Sequence, residues 1–134
     1  MIGILVVTHG KLAAELVAVA KMIVGALDNV EAISIGWNDD VAQAREAIRG
    51  AIKQLDTGQG VLILTDMFGG TPTNLSLTFL EKGRTEIVTG VNLPMLIKLA
   101  GVKEGSLAEI AQRLRQQGQK SIYVASEVFS KQES

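Results

Sequence analysis

The chain has no cysteine, a single histidine and almost no net charge. The missing thiols exclude disulfides, thiolate metal sites and a cysteine nucleophile together. One histidine cannot build a multi-histidine metal centre within one chain. Thirteen Lys and Arg stand against fourteen Asp and Glu, a formal charge of −1, so there is no general electrostatic reason to expect nucleic acid or an anionic membrane as partner. The N-terminus lacks the basic opening of a signal peptide, and no apolar run approaches the length of a membrane span; a cytoplasmic protein without membrane insertion is the expectation. No glycine-rich loop ends in Lys-Ser or Lys-Thr, and no GxGxxG follows a strand-like run. ATP and NAD are therefore unsupported, and neither cofactor nor metal ion is expected.

What is present is patterned. With 134 residues, 47% of them hydrophobic and 20% charged, the chain suits one folded domain, assigned to residues 1–126 with a flexible tail over 127–134. Ile2 to Val7 is a continuous apolar run of the kind found in a strand buried on both faces. Leu12, Leu16, Val19, Ala20 and Ile23 then recur at helical spacing and predict a core-facing helix that ends near Gly25. A weaker strand over Val30 to Ile35 precedes a helix capped by Asn38 or Asp39, with Val41, Ala44, Ile48, Ile52 and Leu55 inward.

Gly60 to Thr65 is the clearest buried strand, and Thr71 with Pro72 opens the helix after it, which runs to Gly83. Glu86 to Thr89 reads as a fourth strand, Asn92 and Pro94 start a short helix, and Ser106 with Glu109 forms a capping box before Leu107, Ile110, Ala111 and Leu114. Ser121 to Ala125 reads as a last strand. Strands alternating with helices predict an α/β fold, an open, mostly parallel sheet covered on both faces. In such sheets ligands bind beyond the carboxyl ends of the strands, which singles out Thr8-His9-Gly10 and Asp66 to Asn74.

The chemistry of those two loops is complementary. A neutral imidazole is a nucleophile, and an ordinary histidine is substantially neutral near pH 7, so His9 could attack phosphorus. Asp66 is placed to accept a hydrogen bond from one ring nitrogen, which would set the tautomer and balance developing charge; taken alone it could equally cap a turn. Gly69 and Gly70, just before a helix, let backbone N–H groups and the positive end of the helix dipole meet an anion. Thr71, Thr73 and Asn74 could donate hydrogen bonds there, although Thr71 also suits an ordinary cap and the other two a purely structural role. Trp37 and Asn38 follow strand two and could border the crevice or a partner surface, although a lone tryptophan more often packs. Phosphoryl transfer asks mainly for positioning and charge stabilisation, which this set supplies.

Three blocks, IGILVVTHGKLAAEL, GVLILTDMFGGTPTN and VTGVNLPML, together resemble the IIA domain of mannose-family bacterial sugar phosphotransferase systems. The resemblance runs from Met1 to about Val124. It implies a doubly wound sheet of four strands in a homodimer, with a C-terminal strand, here Ser121 to Ala125, running antiparallel at the edge and exchanged between subunits. It implies that His9 takes a phosphoryl group from phospho-HPr and passes it to a IIB protein, that Asp66 orients the histidine, and that Gly69, Gly70 and Thr71 hold the phosphoryl group. Some relatives continue into a IIB domain; here the acceptor is expected to be a separate protein, through which any association with a membrane permease complex would run. The sugar is not legible.

Other readings are a regulatory or binding module whose phosphorylation state or anion occupancy is sensed by partners, without sugar transport, and a receiver domain, which needs clustered acidic residues where this chain has Thr8-His9. The phosphotransfer subunit of dihydroxyacetone kinase shares a histidine after strand one, but the GGTPTN block favours the mannose type.

Overall fold

A computed structural model describes residues 1–102 and 104–133, the side chains of 130–133 excepted. The elements follow in the order β1 (Gly3–His9), α1 (Leu12–Val24), β2 (Val30–Ile35), α2 (Val41–Leu55), β3 (Val61–Thr65), α3 (Gly70–Leu77), β4 (Thr85–Thr89), α4 (Leu93–Lys98), α5 (Leu107–Lys120) and α6 (Ala125–Glu133), with a 3-10 turn over Leu99–Gly101. The sheet has four strands in the order β2-β1-β3-β4, and every pairing between them is parallel.

Alternation along the central strands builds two cores. Ile4, Val6, Leu62 and Leu64 pack against α1, α4 and α5 through Ala13, Val17, Leu96 and Leu114. Leu5, Val7 and Ile63 face the other way, onto Ile48 and Leu55 of α2 and Leu75 of α3. A strand apolar at every position is thus covered on both faces, and each fully buried Leu or Ile contributes about 1.5–3 kcal/mol by leaving water. The chain winds from β1 outward to β2 and then back past β1 to β3 and β4. The reversal lies between β1 and β3, whose carboxyl ends carry His9 and Asp66.

Several sequence expectations need correction. Ser121 to Ala125 is not a strand: residues 121–124 have no regular structure, and α6 begins at Ala125. Ile122, Tyr123 and Val124 are exposed. The sheet is therefore entirely parallel, without the antiparallel edge strand. Helix α6 runs through Glu133; Ser134 lies outside the described residues.

Helix α1 is turned differently from its predicted face. Of the expected residues Ala20 is buried and Leu16 packs on the core, but Leu12, Val19 and Ile23 are exposed, and Ala13 and Val17 are buried in their stead. The helix carries apolar residues nearly all round, so periodicity offers two stripes. The one with two alanines brings its backbone close to the sheet, and the buried Thr8 hydroxyl accepts the Ala13 N–H at 2.7 Å. In α2, Ile48 and Leu55 are buried but Val41 is exposed, and the cap is Asp40, whose carboxylate accepts from the Ala42 N–H. Helix α3 starts at Gly70, with Gly69 rather than Thr71 at the N-cap, and ends at Leu77, short of Gly83. The Ser106–Glu109 capping box and the inward Leu107, Ile110, Ala111 and Leu114 stand as read.

Candidate functional site

His9 is the last residue of β1, and Val7, two residues before it, pairs with Thr65, the last residue of β3. Asp66 is the next residue along, so two positions 57 apart in sequence become neighbours at one end of the sheet. The contact is double. Oδ2 of Asp66 accepts the backbone N–H of His9 at 3.0 Å and lies 2.8 Å from ring Nδ1. A carboxylate at that nitrogen favours the tautomer with the proton on Nδ1, leaving Nε2 with its lone pair. The other oxygen, Oδ1, is buried without a partner among the described residues.

The electrostatics agree with the geometry. Burial pushes the Asp66 carboxyl up, but the His9 backbone N–H, the ring hydrogen bond and the ring's charge together outweigh it and hold the group below the usual carboxylate range. Asp66 therefore stays ionised near neutral pH and can balance positive charge on the ring.

Nε2 faces the start of α3. A methyl group placed on Gly70 would sit 2.9 Å from Cε1 and 3.0 Å from Nε2, inside normal contact, and Gly70 has φ +79°. Glycine is required there on both counts. Gly69, the N-cap, also lies in the left-handed region at φ +91° and offers no side chain to the helix. The first-turn N–H groups of α3 are thus uncapped by any side chain and available to an anion beside Nε2. Thr71 is exposed in that turn and Asn74 is exposed one turn on.

Thr73 is elsewhere. It is fully buried, bonded to Thr65 and to the Met67 carbonyl, so it cannot touch a ligand at His9. Trp37 borders the crevice, the less common of its two expected places, and is 96% exposed, its ring centroid 6.3 Å from that of His9. A bond from the Gly36 N–H to the Asp39 carboxylate at 2.6 Å shapes its loop. A cleft runs between His9, Trp37, Val41, Gly70 and Thr71. The signal in the sequence was Trp37 following directly after β2, next to the crevice; solvent exposure could not be read from it.

The comparisons with known proteins point one way. The family model EIIA-man, described as PTS system fructose IIA component, matches residues 3–114. The fructose-specific EIIA component of a Bacillus subtilis phosphotransferase system is 31% identical over 98% of this chain and 91% of its own. The fold matches the mannose/sorbose specific IIA subunit from Enterococcus faecalis with a TM-score of 0.83, 27% identity, and coverage of 92% of this chain and 93% of that one. It also matches the PTS IIA protein associated with the fucose utilization operon of Streptococcus pneumoniae, with a TM-score of 0.81, 30% identity and 95% coverage of each.

Proposed function

The chain belongs to the EIIA-man family of phosphotransferase-system IIA components, and from that membership we propose a transfer cycle centred on His9. The protein is a phosphocarrier of a sugar phosphotransferase system. His9 carries the phosphoryl group on Nε2, HPr is its donor and a IIB protein its acceptor. The observation that carries the assignment is the double contact of Asp66 Oδ2 with His9, which leaves Nε2 turned toward Gly70.

In the forward step the Nε2 lone pair attacks phosphorus on phospho-HPr, the donor's N–P bond breaks, and the donor imidazole leaves with that electron pair. The His9 ring gains positive charge as its own N–P bond forms, retains the Nδ1 proton, and is balanced by the Asp66 carboxylate. The phosphoryl oxygens rest on the uncapped N–H groups around Gly69, Gly70 and Thr71 and on the Thr71 hydroxyl. In the onward step a nucleophile of the IIB protein attacks phosphorus, the His9 Nε2–P bond breaks, and Nε2 recovers its lone pair. Positioning and charge compensation suffice, so no cofactor is invoked.

The relatives are named for fructose, mannose or sorbose, and fucose, so membership does not specify a sugar. Those names favour the carrier over a regulatory or binding module. A protein charged by HPr works where HPr does, in the cytoplasm. A homodimer is also proposed; the exposed Ile122, Tyr123 and Val124 support it, and Ile122 lines a cleft with Glu86 to Thr89 of the edge strand β4.

Reconstitution with phosphoenolpyruvate, enzyme I and HPr tests the cycle. The wild-type chain should take up acid-labile, base-stable phosphate and His9→Ala none. Full labelling of His9→Ala would overturn the assignment.

A further inference from the structure

Beside the site lies a buried polar chain that the transfer cycle above does not use. Thr65 and Thr73 are both fully buried, and their hydroxyl oxygens are 2.7 Å apart. Thr73 Oγ1 donates to the carbonyl of Met67. A hydroxyl has one proton, so the Thr73 proton is spent on Met67, and the bond between the threonines is donated by Thr65. The order is Thr65 to Thr73 to the Met67 carbonyl. It joins the last residue of β3, the first turn-and-a-half of α3 and the loop between them.

Asp66 stands between the two ends of this chain. The carbonyl of Thr65 also accepts the Val91 N–H at 2.8 Å, so the residue before Asp66 is held on its backbone and its side chain, and the residue after it is held at its carbonyl. The same carbonyl of Met67 begins the loop that leads to Gly69 and Gly70. A residue that ties both flanks of Asp66 to the helix bearing the anion-binding N–H groups couples the orienting carboxylate to the phosphoryl cradle.

We infer that Thr73 is a positioning residue for phosphoryl transfer: its buried hydroxyl, bridging Thr65 and the Met67 carbonyl, holds Asp66 in register with His9 Nδ1 and with the Gly69–Thr71 turn. It touches neither the ring nor the phosphoryl group. This inference rests on the carrier reading for its kinetic consequence but not for its effect on the ring. A valine has nearly the shape of threonine and lacks the hydroxyl, so Thr73→Val leaves the Met67 carbonyl without its donor and lets the loop relax. A displacement of about 1 Å at a reacting geometry can cost up to 10²-fold in rate.

The experiment measures phosphorylation from saturating phospho-HPr alongside the ¹⁵N chemical shifts of the neutral His9 ring. Thr73→Val should slow transfer about tenfold and change the ring from the single Nδ1–H tautomer to a mixture, while Thr73→Ser should restore both. Wild-type transfer by Thr73→Val, or slowed transfer with the tautomer unchanged, would overturn the inference. If Thr73→Val does not fold, Thr65→Val decides, since it removes only the upstream donor: slower transfer with a mixed tautomer supports the role, and wild-type behaviour in both readouts overturns it. Failure of the wild-type chain to accept phosphate would instead remove the carrier reading, and the tautomer measurement would still decide whether Thr73 positions Asp66.

Discussion

One oxygen of Asp66 holds His9 twice, accepting its backbone N–H at 3.0 Å and meeting ring Nδ1 at 2.8 Å. The backbone bond sets the carboxylate against the strand end, and the ring bond then follows with little freedom left. Asp66→Asn retains the shape but can present an N–H where the ring nitrogen needs an acceptor. We expect it to fold and to transfer phosphate about 10²-fold more slowly, an effect of the size seen when a reacting group loses its orientation. Single-turnover labelling from phospho-HPr measures this, and an unchanged rate would reduce Asp66 to a turn-forming residue.

The same contacts make part of the stability pH-dependent. The folded Asp66 carboxyl titrates below its ordinary value near 3.8, because the bonds and charge of His9 overcome the opposing effect of burial. Asp56 is lowered too, first by the Gly58 and Gly60 N–H groups and then, against burial, by Arg84. A depressed carboxyl contributes its full stabilisation above the unfolded value and loses it as pH falls through the folded one. Urea midpoints should therefore hold between pH 5 and 7, to within about the usual scatter, and drop below about pH 4. Asp66→Asn should show a shallower acid limb than wild type; identical limbs would mean the pair contributes nothing to folding.

Gly70 and Gly69 separate strain from steric conflict. Both have positive φ, but a methyl on Gly70 strikes the His9 ring, whereas one on Gly69 meets nothing within 4 Å. Alanine at either position should cost about 1–2 kcal/mol of stability from the left-handed backbone. Only Gly70→Ala should also slow transfer, by about tenfold or more as the ring is displaced. Parallel denaturation and labelling assays on the two variants check this; equal rates would show that the ring does not lie against Gly70.

Trp37 is the only tryptophan, and it stands exposed 6.3 Å from the His9 ring. Its emission should be that of a solvated indole and should change when His9 is phosphorylated, with no change in His9→Ala. Trp37→Ala should alter stability by no more than about 0.5 kcal/mol, as expected for a surface side chain without buried contacts. Emission indifferent to phosphorylation would place Trp37 outside the site.

Much of this was legible along the chain, for reasons that differ by segment. Strands β1 and β3 announce themselves because a strand covered on both faces must be apolar at successive positions, and Ile4 to Val7 and Val61 to Leu64 are. The Ser106 capping box is legible because its partners are three residues apart. Helix α1 was legible only in part: of the expected Leu12, Leu16, Val19, Ala20 and Ile23, Ala20 is buried and Leu16 packs on the core, but Leu12, Val19 and Ile23 are exposed and Ala13 and Val17 are buried in their stead. Only the sheet decides which stripe is covered.

By itself the sequence determined the alternation of strands and helices, the single histidine at a strand end, the glycine pair before a helix and the family those blocks belong to. These are local patterns, set by what neighbouring residues can do within a few positions of one another. Tertiary structure alone decided that one Asp66 oxygen serves both the backbone and the ring of His9, that Thr73 turns inward to Thr65 and Met67, and that Trp37 stands in solvent. It also left Ile122 to Val124 without a strand. Each of these depends on which groups meet across the ends of separate elements, and such meetings are settled by strand order and helix rotation, which no local pattern encodes.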